Sequence, residues 1–281
     1  MIAFYNICPD QRLTQANVIN YPDGTLKIDL PEKLSDPVTM FWRYEGEQEL
    51  SQLIFTAMAV KEHFGEVSLF MPYLPNARMD RVHSKSEVFT LKYFCKVINS
   101  LEFSKVTIVD VHSSVGAALL DRCENLNIGC YVVEALRKTG IDPVNDLIFF
   151  PDEGSFKRYA GDIKGFAHLA FGNKKRDWAT GQILGLDICG DSPEGRNVFL
   201  IDDICSYGGT AYHSALKLKE MGAESIDLFF THCENSIAKG ELFKGDLIRR
   251  IYTTDSICTL DPSEFPKLNI IDIFKGFDYN N

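Results

Sequence analysis

A chain of 281 residues with 45% hydrophobic content can bury a substantial core and exceeds the usual single-domain size, so two domains are the first expectation. Its formal net charge of -10 and pI of about 5.1 argue against duplex nucleic acid or an anionic membrane as the principal partner, since both require basic surface. Eight cysteines between Cys8 and Cys258 form no C-x-x-C pair and no cysteine-histidine metal spacing. The amino terminus lacks a basic leader region, and no apolar run nears the roughly 18 residues of a membrane span. Together these features point to a soluble, cytoplasmic protein with reduced thiols.

In chain order, Leu53, Ile54, Ala57 and Met58 follow helical spacing from Leu50, and a strand-like run, Val67 to Met71, comes after Gly65. The stripe Leu91, Phe94, Cys95, Ile98 and Leu101 predicts a second helix, and the β-branched run Lys105 to His112 a second strand. Asp142, Pro143 and Asn145 form the strongest polar break and place a domain boundary near 145, giving domains 1–145 and 146–281. Strands are expected near Leu169 to Phe171, Val198 to Asp202 and Ile226 to Phe230. A helix carrying Ala211, Ala215 and Leu218 on one face lies between the last two, with Gly222 suited to a left-handed cap. Alternating helix and strand is the rhythm of a parallel sheet, so the fold class is α/β.

Chemistry concentrates in D-D-I-C-S-Y-G-G-T, Asp202 to Thr210, at the junction of an apolar strand and a helix. Backbone N–H groups at a helix N-terminus favour a phosphate, and Gly208 and Gly209 let the main chain approach it. Ser206, Tyr207 and Thr210 complete that cradle. Asp202 and Asp203 cannot ligate the same anion and are expected to face a neutral diol. Phosphate beside a diol is a ribose 5-phosphate. An ordinary strand-to-helix turn with Asp and Ser as caps is the plainer account of any one residue, but not of the whole spacing. The pattern matches neither the dinucleotide glycine signature nor the Walker loop.

This stretch resembles the sugar-phosphate loop shared by type I phosphoribosyltransferases and ribose-phosphate pyrophosphokinases. M-P-Y-L-P-N-A-R-M-D-R at Met71 to Arg81, V-D-V-H-S at Val109 to Ser113, P-D-E-G at Pro151 to Gly154 and N-K-K-R at Asn173 to Arg176 are similar to segments of the pyrophosphokinases. T-H at Thr231 and T-T-D-S-I at Thr253 to Ile257 match as well, so the likeness spans about Tyr21 to Ile257. It implies two tandem phosphoribosyltransferase-like domains, each with a mostly parallel central sheet flanked by helices. By the same resemblance Tyr21, Asp23 and Arg78 bind ATP, His112 and Asp152 hold magnesium, and Lys174 and Arg176, on a loop that closes over the transferring group, are catalytic. The implied reaction moves the β,γ-diphosphoryl group of ATP to the anomeric hydroxyl of ribose 5-phosphate, with AMP leaving and no covalent enzyme intermediate. A homo-oligomer is also expected.

Three positions depart from the family pattern. Thr25 stands where the adenine segment usually has an acid, Met79 where Gln follows the arginine, and Tyr207 where the phosphate loop carries a small threonine. The tyrosine ring raises ADP-ribose as an alternative acceptor for the same transfer. A base phosphoribosyltransferase and an inactive regulatory subunit are the remaining alternatives.

Overall fold

The computed structural model describes residues 1–5, 13–34, 36–161, 163, 165–176 and 183–280. It divides into two compact units, Met1–Asn127 and Ile128–Asn281. The polar break at Asp142 to Asn145 lies inside the second unit. There the Asp146 carboxylate accepts the amides of Asp142 (2.8 Å) and Asn197 (3.0 Å), making the break a pinned turn.

In the first unit, short strands β1 (Ile2–Tyr5) and β2 (Leu13–Gln15) precede a separate hairpin of β3 (Asn17–Asn20) and β4 (Leu26–Asp29). Then come β5 (Val38–Trp42), α1 (Glu49–Phe64), β6 (Val67–Phe70), α2 (Thr90–Ser100), β7 (Val106–Val109), α3 (Ser114–Leu119) and β8 (Cys123–Leu126). The six-stranded sheet runs β2-β1-β5-β6-β7-β8, parallel from β5 onward and antiparallel at β1 and β2. The expected helical stripes do bury: Leu53, Ala57, Leu91, Phe94 and Ile98 enter the core with Trp42, Met40 and Leu69. Met58, expected on that stripe, is 55% exposed.

The second unit opens with α4 (Gly129–Thr139) and β9 (Leu147–Phe150), then α5 (Glu153–Tyr159), β10 (His168–Arg176), β11 (Ile183–Gly190) and β12 (Asn197–Cys205). It continues through α6 (Gly209–Glu220), β13 (Ser225–Cys233), a 3-10 turn at Asn235–Lys239, β14 (Arg250–Thr254), β15 (Leu268–Ile271) and α7 (Phe274–Asn280). Its seven strands are ordered β11-β10-β9-β12-β13-β14-β15, and only the β10/β11 pair is antiparallel. Strands buried on both faces read as continuous apolar runs, as Leu147 to Phe150 and Val198 to Ile201 do. Gly222 adopts φ 92° just beyond α6, the left-handed value that its place in the sequence predicted. Both units are therefore α/β, built on mostly parallel sheets.

The connection after β9 leads to β10 on one side, whereas the connection after β12 leads to β13 on the other. Neighbouring parallel strands whose crossovers part in this way leave a crevice at their carboxyl ends, where α/β proteins bind ligands. Asp152 follows β9, and the acidic pair and glycine loop end β12.

Candidate active site

Asp152 caps α5, accepting the Ser155 amide at 2.9 Å and lying 3.2 Å from the Ser155 hydroxyl. That hydroxyl lies 2.9 Å from Asp202 Oδ1, which also accepts the Asp203 amide at 3.1 Å. Asp203 is buried; its Oδ1 accepts the Ile204 amide at 2.8 Å, and its Oδ2 pairs with Arg158 Nη1 at 2.8 Å. Burial, then the negative charges of Asp203 and Asp152, push the Asp202 carboxyl up to about 8. Three carboxylates thus converge where β9 and β12 end, and such crowding is what a cation or a hydroxyl-rich ligand relieves.

The loop after β12 faces outward: Tyr207, Gly209 and Thr210 are exposed. Gly208 is the N-cap of α6 at φ 80°, and a Cβ there would strike Leu242. Gly240 approaches the loop so closely that a Cβ would collide with the Tyr207 carbonyl oxygen. Two glycines in different segments therefore fix the path of the cradle. Beneath it, Thr231 and His232 are buried; His232 Nδ1 lies 2.8 Å from the Ser256 hydroxyl, and the Thr254 hydroxyl donates to the Thr231 carbonyl at 2.7 Å. The matching T-H and T-T-D-S-I segments thus brace adjacent strands behind the site.

Lys174 and Arg176 lie on β10, not on a loop as expected. Register explains the difference: β10 pairs with β9 only as far as Phe171↔Phe150, then runs on to Arg176 against β11 alone. The strand thereby overhangs the carboxyl edge of the sheet, where Asp152 begins the next element. Residues 177–182, the remainder of the expected loop, lie outside the described residues.

In the first unit, Arg78 and His112 follow the adjacent strands β6 and β7 at the same sheet edge. Arg78 is exposed, in a turn where Asn76 has φ 63°. Two hydrogen bonds stitch these connections together, Met71 N to Thr107 O at 2.9 Å and Val109 N to Pro72 O at 2.9 Å. Gly116 permits the close packing of α3, since a Cβ there would lie 2.7 Å from both Leu74 and Val111. Asp110, buried at φ 44°, turns the chain sharply two residues before His112. A positive φ at a non-glycine residue is uncommon, and it falls within the Val109 to Ser113 segment that the sequence singled out.

Tyr21 and Asp23 lie in the turn of the β3–β4 hairpin, where Tyr21 is 49% exposed. Thr25 donates its hydroxyl (2.7 Å) and amide (3.0 Å) to Asp23, and that hydroxyl, then the amide, holds the carboxyl below its ordinary value. Met79 is partly buried against the core, so this departure serves packing. Ser155 and Arg158 are the residues that sequence reasoning missed; both act on partners more than 40 positions away.

An acidic strand end and a glycine-broken loop at the switch point of a mostly parallel sheet are the arrangement of the phosphoribosyltransferase-like fold class. No family model matches the chain. It is 31% identical over 242 residues to ribose-phosphate pyrophosphokinase 2 of Archaeoglobus fulgidus, covering 84% of this chain and 82% of the relative. It is 24% identical to the ribose-phosphate pyrophosphokinase of Pyrococcus abyssi over 92% of this chain and 89% of that one. In fold it is similar to phosphoribosylpyrophosphate synthetase from Mycobacterium smegmatis, with TM-score 0.77, 18% identity, and coverage of 96% of this chain and 90% of that chain. The chain belongs to the ribose-phosphate pyrophosphokinase family and is an enzyme of that type. These relatives lend no support to ADP-ribose as acceptor, to a base phosphoribosyltransferase or to an inactive subunit.

Proposed function

We propose that the chain transfers the β,γ-diphosphoryl group of ATP to the anomeric hydroxyl of ribose 5-phosphate, giving phosphoribosyl pyrophosphate and AMP. The observation that carries this reading is the open cradle of Ser206 to Thr210 beside Asp202 and Asp152, at the crevice where β9 and β12 part. Main-chain amides at the start of α6 receive the 5-phosphate. Among the described residues Asp202 Oδ2 accepts no hydrogen bond, and it is the oxygen that faces the ribose diol.

The sugar hydroxyl attacks the β-phosphorus and gives up its proton to water; the new O–P bond forms as the bond to the α-phosphate oxygen breaks, and AMP departs with that electron pair. Positioning and charge neutralisation do most of this work. Lys174 and Arg176, on the overhanging strand, supply cations for the charge on the transferring group. Tyr21, Asp23 and Arg78 serve ATP in this reading. Magnesium would offset the mutual repulsion of the crowded carboxylates, where Asp152 offers a ligand; His112 of the first unit is the other position that the resemblance offers for a metal, and a bound ion would neutralise phosphate charge.

A homo-oligomer fits the exposed apolar side chains Phe55, Met58 and Tyr93 on α1 and α2. A cytoplasmic setting belongs to the same reading; no described helix is long and apolar enough to cross a membrane. The test is product analysis with ATP, magnesium and ribose 5-phosphate. Stoichiometric AMP and phosphoribosyl pyrophosphate are expected, and absence of both products overturns the assignment.

A further inference from the structure

The two aspartates that end β12 look equivalent in sequence, but α5 treats them differently. Ser155 and Arg158 are three residues apart, so both side chains project from one face of that helix. Ser155 meets Asp202, and Arg158 meets Asp203. Both oxygens of Asp203 are thereby engaged, Oδ1 by the Ile204 amide and Oδ2 by the guanidinium. The Asp203 side chain is 7% exposed. Arg158 is itself anchored, with its guanidinium carbon 5.3 Å from the centre of the buried Tyr159 ring and Nη1 3.3 Å from the Tyr159 hydroxyl.

A second buried carboxylate beside Asp202 costs free energy unless a cation compensates it. With its oxygens committed, Asp203 is poorly placed to bind a sugar hydroxyl and well placed to fix the strand end that presents Asp202. We infer that Arg158 is a positioning residue for the sugar site, acting through Asp203, and that the acidic pair divides its work: Asp202 contacts the ribose diol while Asp203 and Arg158 hold it in place. This deepens the proposed function and rests on it.

The experiment compares steady-state kinetics of the wild-type chain with Arg158→Met, Arg158→Lys, Asp203→Asn and the double variant Arg158→Met/Asp203→Asn, varying ribose 5-phosphate and ATP separately. Arg158→Met is expected to raise the KM for ribose 5-phosphate by about tenfold or more while the KM for ATP stays within about twofold. Arg158→Lys recovers most of the loss, because a single ammonium still reaches Asp203 Oδ2. The double variant is no worse than either single change, the signature of two residues acting as one unit.

Multiplicative losses in the double variant, equal increases in both KM values, or an unaltered sugar KM would each overturn the inference while leaving the proposed reaction standing. A wild-type chain that forms no AMP from ATP and ribose 5-phosphate sinks the reaction and the inference together. Should Arg158→Met fail to fold, the comparison passes to Arg158→Lys and to the double variant, which buries no unpaired charge. Their KM ratios are judged by the same criteria.

Discussion

Asp202 is protonated more readily in the folded protein than in the unfolded chain, its carboxyl being pushed from 3.8 to about 8 by burial and by Asp203 and Asp152. A raised carboxyl means that the folded state holds more protons than the unfolded one between those two values. Stability is therefore greatest on the acid side of that window and declines as the pH rises through it, with a slope of at most about 1.4 kcal/mol per pH unit. Melting temperature measured from pH 5 to pH 8 is expected to fall more steeply for the wild type than for Asp202→Asn. Magnesium should flatten the wild-type curve, since a cation favours the ionised form. Parallel curves for the two proteins would contradict this account of Asp202. The acidic pair was legible in the sequence as a candidate site; the difference between its members was not, because that difference is made by Ser155 and Arg158, which only the packing of α5 brings to the end of β12.

Among the elements, the unit β12, loop and α6 was the most legible: an apolar run, two acids, two glycines and a helical stripe occur in the order the structure preserves. Gly208 is required there twice, by its φ of 80° and by contact with Leu242. Gly208→Ala is expected to cost about 1–2 kcal/mol in backbone strain, and to raise the KM for ribose 5-phosphate by about tenfold through displacement of the cradle. An unchanged KM would show that the loop does not receive the phosphate. The β10–β11 ribbon was misread because Asn173 to Arg176 carries no alternation of apolar and polar residues, the signal by which a strand is recognised. Its ladder continues by pairing with β11, a partner about ten residues further along the chain. Lys174→Ala is expected to lower kcat by orders of magnitude with little change in ATP affinity. The early strands β1 to β4 escaped notice for another reason: each has three or four residues, too few to establish a period.

At the scale of the whole chain, the parallel-sheet rhythm gave the α/β class of both units, whereas the two units divide at Asn127 and Ile128 and Asp146 holds the polar turn at Asp142 to Asn145 within the second. Asp152 and the Asp202 to Thr210 stretch, proposed here to hold the sugar phosphate, belong to that second unit, while Tyr21, Asp23, Arg78 and His112 belong to the first. Ribose 5-phosphate alone is therefore expected to slow hydrogen exchange in 150–158 and 202–212 and leave 67–79 unaltered. A non-hydrolysable ATP analogue should slow 71–79 and 109–113. Protection of the first unit by the sugar alone would contradict the assignment of its residues to the nucleotide.

Beyond Phe171, β10 is laddered to one neighbour instead of two, and an isolated pair of strands is only marginally stable in water. In the resting enzyme, deuterium should enter the backbone of Asn173 to Arg176 far sooner than that of β12, which is laddered to β9 and β13. Under the proposed function, a non-hydrolysable ATP analogue should slow that exchange, and an unchanged rate would separate this extension from the nucleotide.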